Sequence, residues 1–187
     1  MAQSALAEIR YPTHILILEE DELASHNIKY YLCNQNKFNK MSYIQNYQHI
    51  VLSTKNRRMT LNRQFNNKLY QYISGFFQNK NCDLIKIGGI EDHIHILVNF
   101  NNQLALSKEI GNLKRSTSIW IKQSGFFPLF DGWSKEFGSF SVSYSHVEAV
   151  SDYIQSQQEH HQNLNSEDEY KRLILKNGLI YYQYPSE

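Results

Sequence analysis

Cysteine, proline and glycine are scarce in this 187-residue chain, at 2, 3 and 8 residues. The two cysteines, Cys33 and Cys82, match neither a metal-ligand spacing nor a disulfide framework, which favours a reducing cytoplasm. Little proline and glycine, beside 20% charged and 13% aromatic residues, excludes collagen-like, proline-rich and generally disordered classes. Long hydrophobic runs are also missing. Ile15-Leu16-Ile17-Leu18 stops at Glu19 and Glu20, far short of the roughly 18 apolar residues of a membrane helix. No basic stretch precedes an apolar one at the N-terminus, so no secretory signal is expected. What the chain does have is 41% hydrophobic content and a length suited to one domain of roughly 150 residues plus an appendage. These features describe a soluble intracellular protein able to bury a sizeable core.

The net charge of +1 conceals an uneven distribution. Residues 1–40 carry 4 Lys/Arg against 5 Asp/Glu, residues 41–150 carry 12 against 7, and residues 151–187 carry 3 against 6. A basic centre between mildly acidic ends is a weak pointer to a polyanionic partner.

Residues 1–40 differ in texture from the rest and end in the linker-like Asn34-Gln35-Asn36-Lys37-Phe38-Asn39-Lys40, so they are expected to be an N-terminal extension. Met41 could serve as an alternative start, and 41–187 reads as a single domain. Alternation from Ser42 to Leu52 predicts a strand that ends at the basic turn Lys55-Asn56-Arg57-Arg58. Phe65, Leu69, Tyr72, Ile73 and Phe76 predict a helix over 61–79. Strands are expected over 82–90 and 93–100, then a helix capped by Ser107 with Ile110, Leu113, Thr117, Trp120 and Ile121 inward and Lys108, Lys114, Arg115 and Lys122 outward. A strand or hairpin follows over 133–144. Ser145-His146-Val147-Glu148 reads as a capping box that starts a helix running to about His161. The polar stretch 163–168 breaks it, and Tyr170 to Tyr184 is a last helical and then extended piece. Strand, helix, strand, strand, helix, strand, helix suits an α+β fold, an antiparallel sheet with helices packed on it.

The sharpest local feature is Asp92-His93-Ile94-His95-Ile96. Side chains alternate along a strand, so His93 and His95 leave one face together while Ile94 and Ile96 face the core. Two such imidazoles are either hydrogen-bonded residues on an exposed strand face or two ligands of one metal ion. On the capped helix Tyr153, Gln157 and His160 share one stripe, at the margin of the core-facing stripe of Val147, Val150 and Ile154. Tyr153 is then a rim residue and Gln157 solvated, or both reach a cleft. An ion held by two imidazoles and an amide oxygen keeps open positions for substrate oxygens, and the amide favours magnesium or manganese over zinc. A tyrosine one turn from that amide can attack a phosphorus bound there, if something activates the phenol.

These residues resemble a known family, the single-tyrosine HUH transposases of small insertion sequences, in the IS200-like and REP-associated branch. The resemblance covers roughly 42–161. It rests on Tyr47-Gln48-His49-Ile50-Val51-Leu52-Ser53-Thr54-Lys55, on the run from Gly89 to Val98 that contains His93 and His95, on Leu113-Lys114-Arg115-Ser116-Thr117-Ser118, on Gly138 to Ser143, and on Tyr153-Ile154 with Gln157 and His160-His161. It implies an RNA-recognition-like (ferredoxin-like) antiparallel sheet. It also implies His93, His95 and Gln157 as ligands of a divalent cation, and Tyr153 as the nucleophile that cleaves single-stranded DNA through a 5′-phosphotyrosine bond. Subterminal or palindromic DNA hairpins would be recognised by a homodimer in the bacterial cytoplasm, with no membrane and no small-molecule cofactor involved. Two other readings use the same residues: a hairpin-binding module without catalysis, and a rolling-circle nicking enzyme.

Around this constellation, Asp92 either orients a histidine or caps a turn. Lys55, Arg57, Arg58, Lys114 and Arg115 either bind DNA phosphates or form a solvated basic surface. Phe126, Phe127 and Trp133 either stack on unpaired bases or pack beneath their loop. Tyr181 and Tyr182 are expected against the core. His49 and His146 carry no spacing argument.

Overall fold

The computed structural model describes residues 43–157 and 166–182. The expectations for residues 1–40, for Met41 and for His160-His161 lie outside them. Four strands form one sheet: β1 (Tyr47–Ser53), β2 (Asp83–Ile90), β3 (His93–Asn99) and β4 (Gly138–Val142), in the order β2-β3-β1-β4 with every pairing antiparallel. With α1 (Asn66–Gln78) between β1 and β2, and α2 (Leu106–Ser124) between β3 and β4, this is the βαββαβ arrangement of a ferredoxin-like fold. The α+β, antiparallel expectation holds. Among the described residues, no helix is long and apolar enough to cross a membrane.

Period-two alternation on the two central strands gives the sheet two different faces. Ile50, Leu52, Ile94, Ile96 and Val98 point to one side, where Leu69, Ile73 and Phe77 of α1 and Ile110, Leu113 and Ile121 of α2 close a fully apolar core. The opposite face carries His49, Val51, His93, His95 and Phe140. It is covered by α3 (Val147–Gln155), which packs on β2 and β3, and approached by α4 (Ser166–Lys176). A half-polar face buried under helices is the feature that makes a site here. Gly88, opposite His95 in the β2–β3 register, permits the close approach of α3: a Cβ at Gly88 would stand 2.6 Å from the Ile154 carbonyl oxygen.

Several local expectations are corrected. Leu61 is buried, but α1 starts only at Asn66, after a 3₁₀ turn at Arg63–Phe65 whose Gln64 N–H bonds the Asn62 side chain; the deepest aromatic is Phe77 rather than Phe76. Ser107 does not cap α2. That role falls to Ala105, because Leu104 and Leu106 pack on the core and fix the entry of the chain. The capping box is not made either: Ser143 and Ser145 both spend their hydroxyls on His146 Nδ1, at 2.7 and 3.3 Å, and α3 begins at Val147. β4 is shorter than expected because Trp133 turns inward and donates its indole N–H to Thr117 Oγ1 at 2.9 Å. Phe127 is buried with it. The C-terminal helix starts at Ser166, within the stretch expected to be a break, and Tyr182 lies 66% exposed rather than against the core.

Candidate active site

His93 and His95 stand on the helix-covered face of β3 and are 1% and 0% exposed, so the exposed-face reading of this pair is excluded. The tight turn Glu91-Asp92 that delivers them is pinned from the segment after β1. Thr54 N–H donates to Asp92 O at 2.8 Å, and the amides of Thr60 and Leu61 donate to Glu91 O at 3.0 and 2.8 Å. Each imidazole is held at its outer nitrogen. Asp92 Oδ1 lies 2.7 Å from His93 Nδ1, which makes Asp92 the orienting partner of that ring. His49 Nε2 lies 2.9 Å from His95 Nδ1.

The inner nitrogens face a carboxylate that the sequence reading missed. Glu169, in the first turn of α4, places Oε2 at 3.3 Å from His93 Nε2 and Oε1 at 3.6 Å from His95 Nε2. Tyr153 donates its hydroxyl to the same Oε1, and Gln157 donates its amide there at 2.8 Å. Gln157 is 1% exposed, and its Oε1 lies 3.3 Å from His93 Nε2. Tyr153 is half-buried, its ring edge-on to His95 at 5.7 Å and to His49 at 6.1 Å between centroids. The two histidines, Tyr153 and Gln157 therefore meet within one chain. A signal for Glu169 was present in the sequence: it falls on the inward stripe of α4 with Tyr170, Leu173 and Ile174, where a carboxylate is out of place.

The electrostatics follow from this crowding. Burial alone would raise the Glu169 carboxyl, but hydrogen bonds from His93, His95 and Tyr153 hold it far below the usual carboxylate range. Burial would lower His93, yet its hydrogen bonds to Asp92 and Glu169 outweigh that and raise it to about 9. Burial and the neighbouring His95 push His49 down to about 3, so it is uncharged at neutral pH. Burial and the Glu169 carboxylate push the Tyr153 phenol above the ordinary tyrosine value. As it stands, the site keeps that phenol protonated.

His93, His95 and Glu169 each offer a ligand atom, all within 4.8 Å of one another. Nitrogen and oxygen donors at this separation suit one divalent ion with bonds of roughly 2.0–2.2 Å. The donor set of imidazoles, a carboxylate and a nearby amide oxygen fits such a cation.

The basic residues do not converge as a group. Lys55, Arg57 and Arg58 follow β1 at the end where Ser53 pairs with His93, beside the site. Arg57 is engaged within the protein, donating to Ser166 O at 3.1 Å and lying over the Tyr170 ring, so it ties down the start of α4. Arg58 forms an ion pair with Asp131 at 2.9 Å. Lys114 and Arg115 lie on α2, across the sheet. Lys114 does not point outward: its ammonium donates to the carbonyls of Ser134, Lys135 and Glu136 at 3.0, 3.0 and 2.8 Å. Lys55 and Arg115 are exposed.

One solved structure agrees with this architecture. A structure of a REP-associated tyrosine transposase bound to a REP hairpin superposes with a TM-score of 0.51 and 14% identity, covering 81% of this chain and 92% of that one. A candidate transposase from Deinococcus radiodurans R1 gives 0.49 and 19% identity, covering 64% of this chain and 96% of that one. A search of curated protein sequences found no match. The model of the family described as "Transposase IS200 like" matches residues 42–157, from just before β1 through Gln157. The chain belongs to the IS200-like transposase family.

Proposed function

We propose that this protein is a DNA transposase that cuts and rejoins single-stranded DNA through a covalent bond between Tyr153 and a 5′ phosphate. A divalent cation, magnesium or manganese, would be held by His93, His95 and Gln157, with Glu169 added to the set. The observation that carries the reading is the convergence of Tyr153, Gln157, His93 and His95 on the Glu169 carboxylate. Binding or packing alone needs no tyrosine in that company.

The bond changes are simple. The Tyr153 oxygen forms a bond to phosphorus, the bond from phosphorus to the 3′ oxygen breaks, and that oxygen leaves as a 3′-hydroxyl. Net, the phenolic proton ends on the departing 3′ oxygen, carried through solvent, because the Glu169 carboxylate is too weak a base to keep it. When bound, the cation neutralises charge on the phosphate and offsets the Glu169 carboxylate, which otherwise holds the phenol protonated. Asp92 fixes the His93 imidazole, and α3 presents Tyr153 with Gln157 just beyond the helix end. A later attack by another 3′-hydroxyl on the phosphotyrosine reverses the step, so joining needs no outside energy source.

The substrate class we assign is single-stranded DNA carrying a hairpin; the REP-associated structure, for its part, is bound to a REP hairpin. Exposed Lys55, beside the site, is the cation best placed to meet phosphates; Arg58 is paired with Asp131, Arg115 lies across the sheet, and Arg57 and Lys114 serve the protein's own backbone. In this reading 41–187 is the catalytic domain, 1–40 an extension, and the protein a homodimer in the bacterial cytoplasm, although one chain already assembles the site.

Incubation with a hairpin oligonucleotide and manganese or magnesium tests this. The wild type should form a covalent, denaturation-resistant adduct, and Tyr153→Phe should bind the hairpin without forming it. An adduct formed by Tyr153→Phe would remove Tyr153 as nucleophile. A wild type that binds hairpins yet forms no adduct with either metal would establish the non-catalytic module instead, and nicking without rejoining would establish the rolling-circle reading.

A further inference from the structure

A buried imidazole beside the site has no part in the bond-making steps. His49, on β1, is 4% exposed, and its ring lies 5.1 Å from that of His95 and 6.1 Å from that of Phe140, between centroids. Strand register explains the meeting. Val51 pairs with His95 and His49 with Leu97, so His49 is the diagonal neighbour of His95 on the same face, within reach of a ring. Its Nε2 stands 2.9 Å from His95 Nδ1, a distance at which one hydrogen bridges two ring nitrogens.

We infer that His49 is a positioning residue: through this bridging hydrogen it fixes the His95 ring so that Nε2 faces the Glu169 carboxylate and the cation. The inference rests on the cation reading above. The partner type matters. His93 is steered by a carboxylate, Asp92, which only accepts, whereas His49 both donates and accepts. It donates to His95 Nδ1 when the other His95 nitrogen carries a hydrogen, and accepts from Nδ1–H when that nitrogen is a ligand. In either case one hydrogen bridges the pair and neither ring gains charge. A metal-bound imidazole whose second nitrogen loses its partner typically forfeits ten- to a hundredfold in metal affinity.

Two measurements on the full chain test this. In the metal-free wild type, nitrogen NMR should show a scalar coupling across the N–H···N bridge between His49 and His95; its absence would overturn the inference whether or not any variant folds. Manganese titration followed by electron paramagnetic resonance should then show His49→Leu binding ten- to a hundredfold more weakly, while His49→Gln, whose amide also donates and accepts, stays within about threefold of wild type. Equal affinity for wild type and His49→Leu would overturn the inference and leave the cation site standing. So would a His49→Gln that folds but binds as weakly as His49→Leu. A wild type that does not bind manganese would instead sink the cation reading, with the coupling still deciding the bridge.

Discussion

Gly88 tests the link between packing and chemistry most directly. It sits on β2 opposite His95, under the last turn of α3, and a Cβ there would lie 2.6 Å from the Ile154 carbonyl oxygen and 3.0 Å from Ile154 Cγ2. The first contact is to backbone, which cannot rotate away as a side chain can. In Gly88→Ala, α3 must therefore retreat by roughly half an ångström or more to restore van der Waals spacing. Overpacking of this kind costs about 1–3 kcal/mol. Tyr153 precedes Ile154, so its hydroxyl moves with the helix, and a misplacement approaching 1 Å slows a positioned reaction by about a hundredfold. Gly111, exposed on α2 with nothing within 4 Å of its Cβ position, is the matched control. Gly111→Ala should stabilise by about 0.5–1 kcal/mol and leave chemistry alone. Urea denaturation measures the stabilities, and single-turnover adduct formation on a hairpin oligonucleotide measures the rate. Gly88→Ala with wild-type stability and rate would show that α3 does not depend on this close approach.

Two further predictions concern charge. His93 is raised to about 9 from an ordinary 6.5, with burial opposing the rise and the Asp92 and Glu169 hydrogen bonds producing it. In the metal-free protein its stabilising contribution, roughly 3 kcal/mol, is thus present in full below pH 6.5 and is lost as pH rises through about 9. Denaturation midpoints across that window check it, the loss should shrink in Asp92→Asn, and stability that stays flat from pH 6.5 to 9 would refute it. Lys114→Met removes the partner of three carbonyls before β4, one half-buried and two exposed, and should cost about 1 kcal/mol, while the salt dependence of hairpin binding keeps its slope. A flatter slope would place Lys114 on the DNA.

The sequence by itself determined the layers of this protein. Alternation on β1 and β3 dictates which residues face the apolar core, and the same alternation sets His93 beside His95 on the other face, because strand periodicity is a local property of the chain. The spacing of Tyr153 and Gln157 predicted one helix face, but α3 ends at Gln155 and Gln157 reaches the cluster from beyond that end. Tertiary structure decided what those faces meet. That α3 closes over the histidines depends on a missing side chain at Gly88, and that Glu169 enters the cluster depends on where α4 docks; a sequence pattern shows only that Glu169 lies on an inward stripe. His49 had no spacing signal, since its partner is 46 positions away and is reached only through strand register. The capping box failed for a related reason: the hydroxyls of Ser143 and Ser145 found His146 closer than the helix amides. Local periodicity fixes the direction of a side chain, while its partner is chosen by long-range packing, and at this site the partners determine the chemistry.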